Sequence, residues 1–218
     1  MSNQARFIVL EGIDGSGITT HSKLLHGWLE KTGQRAALTK EPSDRPLGAC
    51  IRRALGHQLS FDPRTLALLF AADRSDHLHS VIEPALAGGA HVVCDRYYLS
   101  SYAYQSLDQD LEWIMQMNRE CRRPDVTLLL DVPVSVSLPR IKQRPPTWEL
   151  IEKGQDGELF EEQDTLARVH ANFLKIAECL RAQGDTIIMV KGTNDGAPRP
   201  IAEVQNEIRN IVQRTVEV

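Results

Sequence analysis

At 218 residues, with 42% hydrophobic and 25% charged side chains, the chain is long enough to bury a sizeable core and too apolar to remain disordered. A formal charge of −4, from 25 Lys and Arg against 29 Asp and Glu, argues against a broad nucleic-acid or anionic-membrane surface and leaves room only for local basic pockets. No apolar stretch reaches membrane-spanning length, and the four cysteines (Cys50, Cys94, Cys121, Cys179) are far apart with no C-x-x-C pair, so free thiols and a cytoplasmic location are expected.

Short apolar runs alternate with helical patterns, as a parallel sheet with crossover helices requires. Phe7–Leu10 reads as the first buried strand, too short for a signal peptide and followed at once by a glycine-rich turn. A helix is predicted over 19–31, with Leu24, Leu25, Trp28 and Leu29 on one face and Gly33 just past its end. Residues 35–39 form a weaker strand ending in Glu41-Pro42, and 47–55 read as helical. Pro63 suits the first turn of a long helix through about Leu86, with Leu66, Leu69 and Phe70 packing inward. His91–Cys94 is a central strand running into Asp95-Arg96, and Val126–Asp131 is the fourth strand. A helical segment spans about 134–144. Residues 145–157, with two prolines, two glycines and no clear period, read as a mobile loop. A helix over 159–182, a fifth strand over 186–190 and a last helix over 201–214 complete the chain. With no repeat or linker, one α/β domain over 1–218 with five strands is expected.

Between the first strand and the first helix stands Gly12-Ile13-Asp14-Gly15-Ser16-Gly17-Ile18-Thr19-Thr20, with the spacing G-x-x-x-x-G-x-T. Glycines let such a loop curl so that successive N–H groups converge on phosphate oxygens, and the helix adds its unpaired N–H groups and positive dipole end. Thr19 is placed to offer its hydroxyl to a magnesium ion. The lysine that ordinarily precedes this Thr is absent: position 18 is Ile, with neither charge nor donor. One lost donor of this kind lowers turnover by about a hundred- to a thousandfold unless another cation substitutes. Lys23 is badly placed for that, whereas Arg140, Lys142 and Arg144 border the mobile loop and are better candidates.

The chain resembles the thymidylate kinases over nearly its whole length. The resemblance is carried by Phe7–Thr20, by Glu41–Gly48 (EPSDRPLG), by Leu68–Leu78 (LLFAADRSDHL), by Asp95–Gln105 (DRYYLSSYAYQ) and by Pro124–Val132 (PDVTLLLDV). It implies a P-loop three-layer sandwich, a five-stranded parallel sheet flanked by helices, with residues 145–157 as lid. It also implies ATP as phosphoryl donor, Mg2+, a dTMP acceptor and a homodimer. On the matching positions Asp14 contacts the acceptor's deoxyribose, Asp95 organises the magnesium, and Arg96 holds the acceptor phosphate, with Arg45 a further phosphate contact. In bacterial relatives an arginine stands just before Glu-Pro; here it is Lys40. Phe70 stacks on thymine, Arg74 reaches a base oxygen, Ser101 and Gln105 read the pyrimidine edge, and Tyr104 crowds the sugar's 2′ carbon. Taken alone, Phe70 reads as core, Tyr104 as a surface tyrosine, Asp14 as a turn aspartate and Arg45 as a solvated loop residue. Lys191–Pro198 falls where relatives form the adenine loop.

The family places a catalytic arginine either in the phosphate loop, where this chain has Gly15, or in the lid, where Lys153 is the only cation. Two cations are therefore missing, which gives Arg140 and Arg144 their interest as catalytic candidates. The first reading is an active dTMP kinase. The alternatives are an impaired relative that only binds nucleotide, and a kinase for another deoxynucleoside monophosphate. The seven histidines form no metal-ligand spacing.

Overall fold

The computed structural model describes residues 5–143 and 157–216; Arg144, Lys153 and the rest of the expected lid up to residue 156 lie outside the described residues. The chain runs β1 (Phe7–Glu11), α1 (Ile18–Lys31), β2 (Ala36–Lys40), α2 (Pro46–Leu55), α3 (Pro63–His77), a π-helical turn (Leu78–Ile82), α4 (Glu83–Ala87) and β3 (His91–Asp95). It continues through α5 (Tyr98–Gln105), α6 (Leu111–Met117), β4 (Val126–Asp131), α7 (Val134–Lys142), α8 (Gly157–Ala182), β5 (Ile187–Lys191), the small hairpin β6 (Thr193–Asn194) and β7 (Ala197–Pro198), and α9 (Ile201–Val216).

The five main strands are parallel in the order β2-β3-β1-β4-β5. Strands covered on both faces need apolar side chains at every position, which is why FIVL, HVVC and VTLLL read as unbroken runs. The period of two divides them between two cores. Phe7, Val9, Val92, Cys94 and Leu129 face the layer of α4, α5 and α8, where Tyr98, Leu99, Val169 and Phe173 are buried. Ile8, Leu10, Val93, Leu128 and Leu130 face α1 and α9, meeting Leu25, Leu29, Val204 and Ile208. The chain leaves β1 through α1 for β2 on one side, and the connection from β3 through α5 and α6 crosses to β4 on the other side of β1, so a crevice opens beyond the carboxyl ends of the strands.

The five strands and the three layers match the expectation, and Pro63 sits in the first turn of α3, where the Asp62 carboxylate caps the N–H groups of Arg64 and Thr65. Four local expectations change. The helix over 63–86 is not one α-helix: Pro84 has no N–H to donate back along the turn, and a π-helical turn precedes it. The buried side of α3 carries Ala67, Asp73, Arg74 and His77, while Leu66, Leu69 and Phe70 are only partly covered, because that side faces a polar site rather than the core. Leu24 lies outside the buried face of α1, which holds Ile18, His21, Ser22, Leu25 and Leu29. Helices α5 and α6 were not foreseen. In α5 the Tyr- and Ser-rich sequence has modest helix propensity, and it is buried on several sides, so it shows no apolar stripe. The signal for α6 was its cap, since the Asp110 carboxylate accepts from the N–H of Trp113 at 2.9 Å.

Candidate active site

Residues 12–17 join β1 to α1 in a tight loop whose glycines carry positive φ: 150° at Gly12, 76° at Gly15 and 100° at Gly17. A side chain at Gly15 would collide with the Ser137 carbonyl oxygen, so the requirement there is steric as well as conformational. The Ser16 hydroxyl is buried and has no partner among the described residues, the state expected of a donor aimed at a loop ligand. Ile18 opens α1 at 4% exposure, its side chain committed to the apolar cluster under α9. Thr19 donates its hydroxyl to Asp95 Oδ2 at 2.6 Å. A hydroxyl and a carboxylate at this junction are the hard oxygen donors magnesium takes beside a phosphate, so the residues present fit that ion.

Asp95 ends β3, and the next residue turns sharply: Arg96 has φ 72°, a left-handed conformation unusual for a non-glycine residue. That turn swings the guanidinium under the phosphate loop. It donates from Nη1 to the Gly12 carbonyl and to Ser100 Oγ, both at 2.9 Å, and from Nη2 to Asp14 Oδ1 at 2.7 Å. Burial works against its charge, but Tyr104, Asp14, Glu11 and Asp95 outweigh that and hold the pKa above the ordinary arginine value.

Glu11 lies fully buried behind Arg96. It accepts from the Tyr97 N–H at 2.8 Å, the Ser100 N–H at 3.1 Å and the Ser100 hydroxyl at 2.5 Å, tying the end of β1 to the start of α5. Burial pushes its carboxyl up from 4.5 to about 7, against the pull of Ser100, Arg96 and Tyr97.

Beyond Arg96 a cavity of about 280 Å3 opens between α3 and α5, lined among others by Phe70, Arg74, Ser101, Tyr104 and Gln105. Arg74 is 1% exposed and held from all sides. Its Nε donates to Glu41 Oε2 at 2.8 Å, Nη2 to Ser101 Oγ at 2.9 Å and Nη1 to Asn118 Oδ1 at 2.5 Å, with the Tyr97 ring beneath it. Burial opposes its charge too, and the Glu41 carboxylate more than compensates, so its pKa stays raised. Glu41 is shared with His77 Nδ1 at 3.2 Å, and His77 Nε2 meets Thr39 Oγ1 at 2.6 Å, so one chain of polar contacts runs from β2 into the cavity wall. Gln105 Oε1 is buried without a partner in that wall. The Tyr104 hydroxyl donates to Asp14 Oδ2 and accepts from the Asp14 N–H, each at 3.1 Å, and its ring lies edge-on to Phe173.

The structure thus gathers Asp14, Phe70, Arg74, Arg96, Ser101, Tyr104 and Gln105 around one cavity, and Thr19, Ile18 and Asp95 around a smaller chamber adjoining it. Arg45 lines neither cavity and forks onto the Asp76 carboxylate with Nε at 2.5 Å and Nη2 at 3.1 Å. Arg140 does reach the loop, donating to the Gly15 carbonyl at 3.3 Å, but from the opposite side. There it lines a cavity of about 240 Å3 with His21, Arg199 and Ile201, next to the β6–β7 hairpin. Lys142 is exposed. Sequence reasoning missed Glu11, Ser100, Asn118 and Arg199, whose importance comes from long-range contacts. Their only local signal is that Glu11 abuts the glycine loop and Ser100 lies four residues after Arg96.

A glycine loop gripping a helix N-terminus at the carboxyl edge of a parallel sheet, with a cavity on each side of it, defines a P-loop nucleotide-binding protein. A family model described as thymidylate kinase matches residues 10–208, and the chain belongs to the thymidylate kinase family. It is 47% identical over 181 residues to a probable thymidylate kinase of Pyrococcus horikoshii, covering 79% of this chain and 82% of that protein. Over 204 residues, 93% of each chain, it is 39% identical to a putative thymidylate kinase of Aeropyrum pernix. It is 40% identical over 182 residues to the thymidylate kinase of Alkalilimnicola ehrlichii, covering 80% of this chain and 81% of that one.

Proposed function

We propose that the chain transfers the γ-phosphoryl group of ATP to dTMP, giving dTDP and ADP. The observation that carries this reading is that the aromatic and polar cavity behind Arg96 opens onto the phosphate loop, so an acceptor and a donor can meet end to end. In this reading an oxygen of the dTMP phosphate bonds to the γ-phosphorus as the bond from that phosphorus to the β–γ bridging oxygen breaks, and the electron pair leaves with ADP. Little covalent work falls to the protein; its contribution is alignment and neutralisation of charge.

Each side chain has a part in this. Phe70 offers a face for the pyrimidine ring, and Ser101 and Gln105 its edge partners. Arg74, immobilised by Glu41 and Asn118, meets a base oxygen with a guanidinium that needs no reordering. Tyr104 stands against the sugar, supporting a deoxyribose preference, and Asp14 faces the sugar from the loop. Arg96 presents a forked donor to the acceptor phosphate. The backbone of residues 12–20 and the Ser16 hydroxyl hold the donor phosphates, Arg140 flanks them, and the hairpin around 191–198 borders the adenine. Thr19 and Asp95 would hold a magnesium ion, whose charge would help neutralise the donor phosphates.

The acidic net charge supports nucleotides rather than nucleic acid as ligands, and among the described residues no helix is long and apolar enough to cross a membrane. A cytoplasmic homodimer is proposed with it. The exposed row Leu68, Ala72, Ser75 and His79 on α3 and the turn after it supports a mate for that face.

The test is a coupled ADP-release assay over a panel of nucleoside monophosphates. Turnover is expected with dTMP ahead of the others, and Arg96→Ala should lower kcat/KM by at least about a hundredfold. Tight dTMP binding without turnover would leave the chain a nucleotide-binding relative.

A further inference from the structure

Ile18 leaves the phosphate chamber without the ammonium group such a loop ordinarily carries. We propose that Lys40, at the end of β2, supplies that charge to the phosphoryl group in transit; the inference rests on the kinase reading above. The chamber, about 230 Å3, is lined by Gly15, Ile18, Thr19, Lys40, Asp95 and Arg96 among others, so the lysine and the isoleucine face the same space from two different elements. The placement follows from the sheet. β2 pairs in parallel with β3 and sets Lys40 opposite Asp95, the carboxylate bonded to Thr19. One strand spacing, about 4.8 Å, therefore separates the lysine backbone from the residue that fits the magnesium.

Among the described residues, the other cations near the chamber are engaged. Arg96 holds Gly12, Ser100 and Asp14, and Arg74 holds Glu41, Ser101 and Asn118. Arg45 is forked on Asp76, and Arg140 sits across the loop, over the other cavity. Lys40 is different. Its partner is Asp44 at 3.1 Å, with side chains 50% and 78% exposed, and a solvated pair of this kind contributes little. A polyphosphate carries several charges and competes readily for that ammonium. Ile18, sealed into the α1–α9 core, has no route to share the task and instead makes one wall apolar, which strengthens the field of a charge placed opposite it. A long, flexible stem with a point charge suits a group that shifts during transfer.

This assigns Lys40 a role in the transition state rather than in holding dTMP, and the two are separable. In the coupled assay, Lys40→Met should lower kcat about a hundredfold while the KM for dTMP moves by less than about threefold. Lys40→Arg should stay within about tenfold of the unaltered kcat, because charge and reach are kept. Ile18→Lys should recover at least about tenfold of the loss in Lys40→Met, a proportionally larger gain than the same substitution gives in the unaltered chain, since the two ammonium groups would do the same work. A melting temperature unchanged in Lys40→Met establishes that the fold is intact, as its half-exposed position leads one to expect. Full kcat in Lys40→Met, a loss confined to the KM for dTMP, or an equal effect of Ile18→Lys in both backgrounds would each overturn the assignment. Absence of turnover by the unaltered chain would instead overturn the kinase reading itself, and the role of Lys40 with it.

Discussion

Glu11 connects burial, charge and function through one carboxyl group. Its side chain is fully buried and sits near Arg96, so the two charges steady each other, yet the cost of removing the carboxylate from solvent still dominates. With a folded pKa near 7 against about 4.5 when unfolded, the folded chain holds more protons than the unfolded chain across that interval. Stability from this group is therefore full below pH 4.5 and is lost as pH rises through 7. The loss is about 3 kcal/mol at most, reduced by whatever relaxation the site allows. Burial lowers the pKa of His21 and His91, which adds a slope of opposite sign below their ordinary value of 6.5. The difference between the chain and Glu11→Gln isolates the carboxyl. Urea unfolding across pH 4.5 to 8 should show the glutamine variant gaining on the unaltered chain as pH rises. Parallel curves would mean that burial does not shift the Glu11 carboxyl. Arg96 belongs to the same scale. Its left-handed backbone and three acceptors leave one orientation for the guanidinium, which is what recognition of a planar phosphate edge needs.

At the scale of elements, the acceptor cavity depends on how α3 holds the loop after β2. Asp73 accepts from the Ser43 N–H at 2.8 Å and its hydroxyl at 2.6 Å, while Arg74 and His77 hold Glu41. Three residues of one helix face thus fix Glu41, Pro42 and Ser43, and in return Glu41 fixes Arg74. The loop also presses on α2, where Gly48 abuts the Ser43 backbone so closely that a methyl group would collide with its oxygen and nitrogen. Gly48→Ala should therefore push Ser43 away from Asp73. A loss of about 1–3 kcal/mol in urea unfolding is expected, as for overpacking in a well-filled interior, together with a raised KM for dTMP. An unchanged KM would show that the loop and Arg74 move independently. The π-helical turn after α3 belongs to this level too: it absorbs Pro84 without bending α3 away from the cavity.

At the scale of the molecule, two cores share one sheet, and the crevice at its carboxyl edge draws side chains from both layers: Ile18 from the α1–α9 side, Tyr104 and Phe70 from the α3–α5 side. Ligands that bridge this crevice should stabilise the whole fold. At a free concentration a hundred times its Kd, a nucleotide adds about 2.7 kcal/mol, roughly 5–10 °C in melting temperature for a chain of this size. Scanning calorimetry with dTMP, with ATP and magnesium, and with both should show a shift for each and the largest for the combination. No shift with dTMP would empty the acceptor cavity of its proposed role. By itself the sequence determined the five strands, their parallel arrangement, the glycine loop between β1 and α1, and the spacing of Phe70 and Arg74 one turn apart on α3. These are local periodicities and contiguous motifs, written in neighbouring residues. Only the tertiary structure decided where the cations lie: Arg45 pairs with Asp76, Arg140 reaches the loop beside the other cavity, and Lys40 stands opposite Asp95. It likewise revealed α5 and the buried Glu11 beneath it. Those outcomes are set by contacts between residues far apart in the chain, where strand order and burial, not spacing, determine which charges meet.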